Sequence, residues 1–229
     1  CETCKIIENT YRAVNIALID EFTNFSIENN IDIKNILNAI RIRKTHSNIM
    51  NPGLGVGGYC LTKDPKFLEY SSKNILNTSN NFPITKKAIL INSNMVTTSL
   101  KYVKKKIITF KNKKILIVGI SYKEDVDDIR FSPSVDLAQK LKNAGAKVEI
   151  NDPLFTNNDL LPFNFVKRFN FSKYDCVLFC VGHKRVKKIN INNLNKKPIY
   201  FDLNNIFKNI NYEVLKRKKI KFFEISRPL

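Results

Sequence analysis

Apolar residues recur at helical spacing through roughly the first hundred positions of the chain. From residue 2 to about residue 26, apolar positions such as Ile6, Val14 and Phe22 alternate with polar ones at intervals that suit an amphipathic helix. A proline is tolerated in a first helical turn, so another helix is expected to begin near Asp64-Pro65. Helices are predicted over residues 2–26, residues 33–42, from about residue 64 onward, and over residues 83–109. We therefore expect residues 1–108 to form an all-helical domain.

The pattern changes at Lys113, after which short β-branched runs replace the helical spacing. Lys114–Gly119 is expected to be a strand, Ser134–Lys142 a helix closed by Gly145, and Val148–Ile150 a second strand. This βαβ unit implies a parallel sheet, and further buried strands are predicted at residues 176–181, 199–201 and 220–223. The fold class is α/β: residues 109–229 are expected to form a small doubly wound, Rossmann-like domain after the helical one.

Composition narrows the classes of protein that fit. The net charge of +19 invites a nucleic-acid interpretation, but the lysines are scattered and Asn, Lys and Ile are abundant throughout, so we expect no nucleic-acid partner. No apolar run approaches the roughly 18 residues of a membrane-spanning helix, so no membrane partner is expected. The sequence begins at Cys1 without a basic-then-apolar leader, which favours a cytoplasmic protein over a secretory precursor.

The five cysteines do not resemble a disulfide framework. Cys1 and Cys4 form a single C-x-x-C, which without a second ligand pair is weak evidence for a metal, and no metal site is predicted. Cys176 and Cys180 lie in an apolar run and are expected to be buried. The surroundings of Cys60 differ from those of the other four.

Cys60 follows a loop rich in glycine, Asn51–Gly58. A dinucleotide fingerprint follows a strand and opens a helix, whereas this loop follows a helical region, so it does not suit a dinucleotide. The glycines instead allow the backbone to approach a ligand closely and present Cys60 to it. A nucleophilic cysteine acts as the thiolate, for which the amino terminus of the next helix and Lys63 are sources of positive potential.

Three segments contain motifs in chain order: ETCKIIEN at Glu2–Asn9, GGYCLTKD at Gly57–Asp64, and YK at Tyr122–Lys123 followed by DIRFSP at Asp128–Pro133. They resemble the E-x-x-K-x-x-x-N, the G-G-x-C-x-x-K-D, and the Y-K with D-x-R-x-S-P of the UDP-glucose/GDP-mannose dehydrogenase family. The resemblance extends over nearly the whole chain. It implies that the helical domain is the family's central, dimerisation domain and that the α/β domain binds the nucleotide sugar.

The family resemblance also implies a chemistry. Such enzymes are nucleotide-sugar 6-dehydrogenases of polysaccharide biosynthesis, which oxidise a C6 alcohol to the uronate in two hydride transfers to two NAD⁺. Cys60 would form a thiohemiacetal and then a thioester that water hydrolyses. Lys5 would stabilise oxyanions, Asn9 would position a water or the sugar oxygen, and Asp64 would handle protons. Two of these residues also have a purely structural interpretation. Lys5 suits an exposed position on an amphipathic helix, and Asp64 suits the cap of the following helix.

Binding roles follow from the same resemblance. The glycine loop would wrap the sugar diphosphate, Lys123 would reach the nucleotide sugar, and Arg130 would contact NAD phosphate. Arg43 or Lys44 would reach the site of a neighbouring subunit in a homodimer, and the sequence does not choose between them. His183, at the end of an apolar strand, is a further candidate to line the cleft. The expected substrate-binding residues are Asn51, Gly53, Gly55, Gly57, Gly58, Tyr59, Tyr122, Lys123, Arg43 and Lys44.

The chain also departs from the family pattern. No G-x-G-x-x-G follows a strand, so the family's amino-terminal NAD-binding domain is expected to be absent from this sequence. The unit around Gly119 keeps Asp152 at the end of its second strand but lacks the later glycines, and the segment near Asp202 lacks an arginine that some relatives have.

Several functions remain open from sequence. UDP-glucose is the leading expected substrate, because Lys63-Asp64 resembles glucose-type members. Pro52 and Asp64-Pro65 resemble members that act on UDP-N-acetylhexosamines, and GDP-mannose comes third. An inactive truncated fragment that dimerises or binds ligand is the alternative from a different class.

Overall fold

The computed structural model describes residues 2–155 and 162–228, and its first part is helical. The first helix ends at Asn29, and the next residue, Asn30, has a φ of +58°. The second helix begins where the Asp32 side chain accepts a hydrogen bond from the Asn35 backbone N–H. Pro83 opens the fourth helix at a position where no backbone N–H is needed. The helices are α1 (Glu2–Asn29), α2 (Ile33–Ile40), α3 (Tyr59–Asn74) and α4 (Pro83–Lys104).

The start of α3 differs from the prediction. The helix begins at Tyr59, not near Asp64-Pro65, and Pro65 lies inside it. Gly58, with a φ of +78°, turns the chain into the helix. An interior proline removes one backbone hydrogen bond without ending the helix, which is why its position is a poor guide to the first turn.

The second part is a parallel sheet with helices on its faces. The predicted βαβ unit is present as β1, α5 and β2, and the short β3 was not predicted. The strand order β3-β2-β1-β4-β5-β6 reverses direction between β1 and β4, as in a doubly wound fold. The elements are β1 (Lys114–Val118), α5 (Pro133–Asn143), β2 (Lys147–Asn151), β3 (Asn164–Phe165), β4 (Cys176–Phe179), α6 (Lys184–Lys187), β5 (Ile199–Asp202), α7 (Tyr212–Arg217) and β6 (Lys221–Glu224).

The two parts share one apolar core. Met95 and Val103 of α4 are fully buried in the same cluster as Ile115 and Ile117 of β1. The Tyr102 hydroxyl donates a hydrogen bond to the backbone oxygen of Glu224, 2.5 Å away. α4 therefore fixes the helical part on one face of the sheet, and α1 packs in turn against α3 and α4.

Within residues 2–155 and 162–228, no helix combines the length and apolar character needed to cross a bilayer.

Candidate active site

A cleft of about 550 Å³ lies between the helical part and the α/β part. One wall is α1, and the others are the glycine loop, the first turn of α3, the loop after β1 and Asn204 after β5. Most of the residues expected from sequence meet in this one place. Those that line it are Lys5, Asn9, Asn51, Gly53, Gly55, Gly57, Gly58, Tyr59, Cys60, Tyr122, Lys123 and Arg130.

Cys60 lies in the first turn of α3, with an exposed free thiol in the cleft. The first turn of a helix leaves backbone N–H groups without intrahelical partners and has a partial positive charge. Because α3 starts at Tyr59, Cys60 sits within that positive end and not ahead of it. The thiol is accessible from the cleft, and the positive end of the helix stabilises negative charge close to it.

Asn9 and Asp64 are joined by a hydrogen bond. The buried Asn9 donates through Nδ2 to Oδ2 of Asp64 over 2.7 Å. Asp64 follows Cys60 by one turn of α3, so the two side chains share a helix face. Asp64 does not itself line the cleft and reaches it through Asn9. Lys5 lies one turn before Asn9, and its exposed ammonium is 3.0 Å from Oε2 of Glu8.

The glycine loop packs against the α/β part more closely than a side chain would permit. A Cβ on Gly58 would lie 2.6 Å from the Tyr122 ring, and one on Gly57 would lie 2.7 Å from Pro133. The Leu54 backbone N–H donates to Oδ1 of Asn204 at 3.4 Å. Gly57 and Gly58 therefore allow the loop to pack closely against Pro133 and Tyr122. Their contact with a ligand stays a prediction.

Two buried side chains, those of Asp152 and His183, form hydrogen bonds with the backbone of the loop after β1. Oδ2 of Asp152 accepts from the Ile120 backbone N–H at 2.7 Å and lies 3.1 Å from Nε2 of His183. Nδ1 of His183 accepts from the Asp125 backbone N–H at 3.0 Å, so its proton is on Nε2. Burial raises the pKa of Asp152, but hydrogen bonds from His183, Ile120 and Leu154 bring it below its ordinary value.

His183 therefore does not occupy the position considered for it from sequence. It is 1% exposed and is not among the residues that line the cleft. The apolar strand that precedes it ends inside the molecule, beneath the loop that supplies Tyr122 and Lys123. Its observed contacts position that loop.

Arg130 is tied to its own loop. Its Nη2 donates to Oδ2 of Asp128 at 2.7 Å, and its guanidinium lies 5.4 Å from the centre of the Tyr59 ring. The hydrogen bond from Arg130 lowers the pKa of Asp128. The Arg130 backbone oxygen accepts from the Gly58 N–H at 3.2 Å, which joins this loop to the start of α3.

The βαβ unit around Gly119 does not have the features of a dinucleotide site. A Cβ on Gly119 would lie 2.5 Å from Val181, so this glycine serves packing between β1 and β4 and not a phosphate. Asp152, whose place at the end of β2 suits a ribose contact, is 5% exposed and already bound by backbone N–H groups and His183. Gly119 and Asp152 are therefore not assigned to an NAD site.

Two predicted residues lie away from the cleft. Arg43 and Lys44 are exposed at the start of a short 3₁₀ turn, Lys44–His46. Their expected reach into a neighbouring subunit stays a prediction. Of the C-x-x-C pair, Cys4 is exposed and Cys1 lies outside the described residues.

Several lining residues were not singled out from sequence. On α1, the positions Lys5, Asn9, Arg12, Ile16 and Asp20 recur every three or four residues, so a signal for the last three was present in the helical spacing. For Asn204 no local signal exists, because its role depends on the packing of the loop. The lining residues that sequence missed are Arg12, Ile16, Asp20, Met50, Val56, Leu61, Asp128 and Asn204.

Asp20 differs from the other lining residues in its environment. It is 1% exposed, and its Oδ2 has no hydrogen-bond partner among the residues that the structure describes. Burial raises the pKa of Asp20 to about 8. Its carboxyl is therefore mostly neutral at pH 7.

Comparison with known proteins identifies both parts of the chain. Residues 1–94 match the central domain of the UDP-glucose/GDP-mannose dehydrogenase family, and residues 116–209 match the UDP binding domain of that family. Cys60 and the other lining residues, from Lys5 to Asn204, fall within these two matches.

Curated relatives give the same assignment. A UDP-N-acetyl-D-mannosamine dehydrogenase of Methanococcus aeolicus is 35% identical over 218 residues, which are 89% of this chain and 46% of the relative. A UDP-N-acetyl-D-glucosamine 6-dehydrogenase of Salmonella typhi is 33% identical over 199 residues, 82% of this chain and 45% of the relative. The chain thus spans about half the length of the relatives that it matches.

A solved structure resembles the fold. The UDP-N-acetyl-D-mannosamine dehydrogenase of Pyrococcus horikoshii superposes with a TM-score of 0.74 at 27% identity, over 97% of this chain and 50% of that one. The expected α/β fold class, with its helical part and parallel sheet, is confirmed.

Proposed function

Because this chain belongs to the UDP-glucose/GDP-mannose dehydrogenase family, we propose that it forms the substrate cleft and supplies the nucleophile of a UDP-N-acetylhexosamine 6-dehydrogenase. The reaction is the NAD-dependent oxidation of the C6 alcohol to the uronate. The observation that supports this most is the exposed Cys60 thiol in one cleft with Lys5 and Asn9.

The sugar is proposed from the relatives. Those with curated names include UDP-N-acetyl-D-mannosamine dehydrogenases and a UDP-N-acetyl-D-glucosamine 6-dehydrogenase. These relatives favour a UDP-N-acetylhexosamine, the alternative that Pro52 and Asp64-Pro65 indicated, over UDP-glucose, the leading substrate expected from sequence. UDP-N-acetyl-D-mannosamine is therefore the first substrate to test.

The residues of this chain account for the two steps that need no hydride acceptor. In the first, the Cys60 thiolate adds to the carbon of the C6 aldehyde, and the former carbonyl oxygen takes a proton to give a thiohemiacetal. In the second, water attacks a thioester on the same sulfur, releasing the carboxylate and the thiol. The Lys5 ammonium stabilises the oxyanion that each addition creates.

Asn9 and Asp64 are proposed to act as a pair. The hydrogen bond between them fixes the Asn9 amide and leaves its Oδ1 free to accept from the attacking water or the sugar hydroxyl. Asp64 then receives a proton only through Asn9 or a bridging water, because it does not line the cleft. NAD supplies the hydride acceptor of the overall reaction, with Arg130 as the proposed contact from this chain.

The diphosphate is proposed to bind along the cationic side chains of the cleft. Arg12 and Lys123 are exposed there, on two different walls. Lys and Arg side chains suit phosphate oxygens, and two walls of positive charge suit a diphosphate that lies between them.

A homodimer through the helical part is also proposed. Exposed apolar side chains recur along one side of α1 at intervals of three, four or seven residues, which is the spacing of a helix that packs against a partner. Arg43 or Lys44 would then reach the second site. The exposed apolar residues are Ile7, Tyr11, Leu18, Phe22 and Phe25.

A reducing compartment fits the cysteines. Cys4, Cys60, Cys176 and Cys180 are all free thiols. Since disulfides are rare in the cytoplasm, we propose a cytoplasmic enzyme.

The activity is tested by joining this chain to the half of the Methanococcus aeolicus relative that it does not match. NADH formation is followed with UDP-N-acetyl-D-mannosamine, UDP-N-acetyl-D-glucosamine, UDP-glucose and GDP-mannose. We expect two NADH per sugar, with the first of these as the best substrate. Cys60→Ser should stop the reaction before the uronate, with Cys4→Ser as the matched control. Full oxidation by the Cys60→Ser protein would exclude the covalent mechanism.

A further inference from the structure

The cleft extends along α1, and its two ends differ in chemistry. Lys5 and Asn9 lie on the wall near Cys60, and Asp20 lies eleven residues beyond Asn9 on the same face. At 1.5 Å per residue this separation is about 16 Å along the helix. A ligand that reaches both ends is therefore long, as a nucleotide sugar is.

The far end consists of groups that suit a flat heterocycle. Ile16 lies one turn before Asp20 on α1, and Met50 packs against the cluster that contains Ile19, the neighbour of Asp20, so both bring apolar surface to this end. Asn51, the next residue in the chain after Met50, contributes an amide. Arg41 donates to the Met50 backbone oxygen at 3.1 Å and to Oδ1 of Asn51 at 2.6 Å, which fixes this end. With a hexose at Cys60, the diphosphate and ribose occupy the middle of the cleft, so the base reaches the far end.

Asp20 is the polar group that this end leaves unused. It lines the cleft while 99% buried, its Oδ2 has no partner, and no ion pair of the described residues includes it. A buried carboxyl without a hydrogen-bond partner destabilises the protein when no ligand is bound. A bound ligand that supplies the missing hydrogen bonds explains why such a carboxyl lies in the cleft. Burial raises its pKa to about 8, so it has one O–H donor and one acceptor oxygen at pH 7.

We propose that Asp20 recognises the base of the nucleotide: its neutral carboxyl donates to a uracil carbonyl and accepts from the adjacent imide N–H. This inference rests on the proposed function, in that Cys60 marks the hexose end. Guanine also presents a carbonyl next to an N–H on its corresponding edge, so the same two hydrogen bonds suit either base, and GDP enters the test as a second base with this edge.

The test is isothermal titration calorimetry of the chain with UDP, GDP and pyrophosphate, none of which contains the hexose. Asp20→Leu removes both hydrogen-bonding groups and should weaken UDP binding at least about tenfold, with pyrophosphate binding unchanged. Asp20→Asn keeps a donor and an acceptor and should bind UDP within about threefold of wild type. Asn24→Leu is the matched control, since Asn24 also has an unpartnered buried oxygen on α1 but does not line the cleft.

The possible results separate this inference from the proposed function. If wild type binds UDP and Asp20→Leu binds it equally well, or loses UDP and pyrophosphate alike, the role of Asp20 is refuted while the function stands. An effect seen with UDP-N-acetyl-D-mannosamine but not with UDP would assign Asp20 to the sugar and also refute it. If wild type binds neither UDP nor pyrophosphate, both proposals fail. Thermal unfolding checks that Asp20→Leu folds, and Asp20→Ala replaces it if it does not.

Discussion

Asp20→Asn should change how the stability of the protein depends on pH. In the folded chain the Asp20 carboxyl has a pKa of about 8 against 3.8 for the ordinary group, and the cause is burial alone. The asparagine keeps nearly the same shape and cannot ionise. The two proteins therefore differ in one titrating group, and a difference between their unfolding curves isolates it.

The magnitude follows from proton linkage. Between the two pKa values the folded state holds a proton that the unfolded state has released, so the free energy of unfolding falls as pH rises. The slope is about 1.4 kcal/mol per pH unit, and the two units from about pH 5 to about pH 7 give about 3 kcal/mol. The contribution is fully present below the unfolded pKa and is lost as pH rises through the folded one. From about pH 5 to about pH 7, the free energy of unfolding of Asp20→Asn should therefore rise by about 3 kcal/mol relative to that of wild type.

The assay is urea unfolding followed by circular dichroism at several pH values in this range. Glu21→Gln is the matched control, because Glu21 is the next residue on α1 and its side chain is exposed. Its stability curve should run parallel to that of wild type. Parallel curves for Asp20→Asn as well would show that the Asp20 carboxyl ionises normally, and the argument for a neutral carboxyl at the end of the cleft would fail.

Three other substitutions test the packing around the cleft. Gly58→Ala should lower the free energy of unfolding by about 1–3 kcal/mol in urea titrations, because φ is +78° and the new Cβ meets the Tyr122 ring at 2.6 Å; an unchanged midpoint would contradict this. His183→Ala should speed proteolysis in residues 119–132 and weaken UDP binding, since the loop loses its bond through His183 to Asp152, and unaltered cleavage would refute the positioning role. Phe22→Lys should give a monomer in light scattering, whereas a persistent dimer would place the interface elsewhere.

The sequence predicted those parts of the fold whose signals are local. The helical spacing of α1, the proline that opens α4 and the β-branched run of β1 each determine their own element, and all three lie close to where they were expected. The predicted start of α3 is wrong because Pro65 lies inside the helix, and Gly58, with a positive φ, turns the chain into it. β3, with two residues, has no periodicity to detect.

The residues of the site also fall into those with a local sequence signal and those without one. The Cys60 motif and the pairing of Lys5 with Asn9 were local patterns, and the structure brings these residues into one cleft. Asn204 and the contact between Asp152 and His183 depend on packing between distant segments, for which the sequence gives no spacing rule. Asp20 lay on the face already defined by Lys5 and Asn9, but no pattern in the sequence shows that a carboxyl is buried without a partner.

The proposed reaction requires a nucleotide sugar to lie in the cleft with its hexose against Cys60. The direct measurement is the rate of iodoacetamide alkylation at each cysteine, by peptide mass spectrometry, with and without UDP-N-acetyl-D-mannosamine. Cys4 is an internal control, because it is exposed on α1 but does not line the cleft. We expect the ligand to slow alkylation of Cys60 and to leave Cys4 unchanged. Equal rates at Cys60 with and without saturating ligand would contradict the central claim.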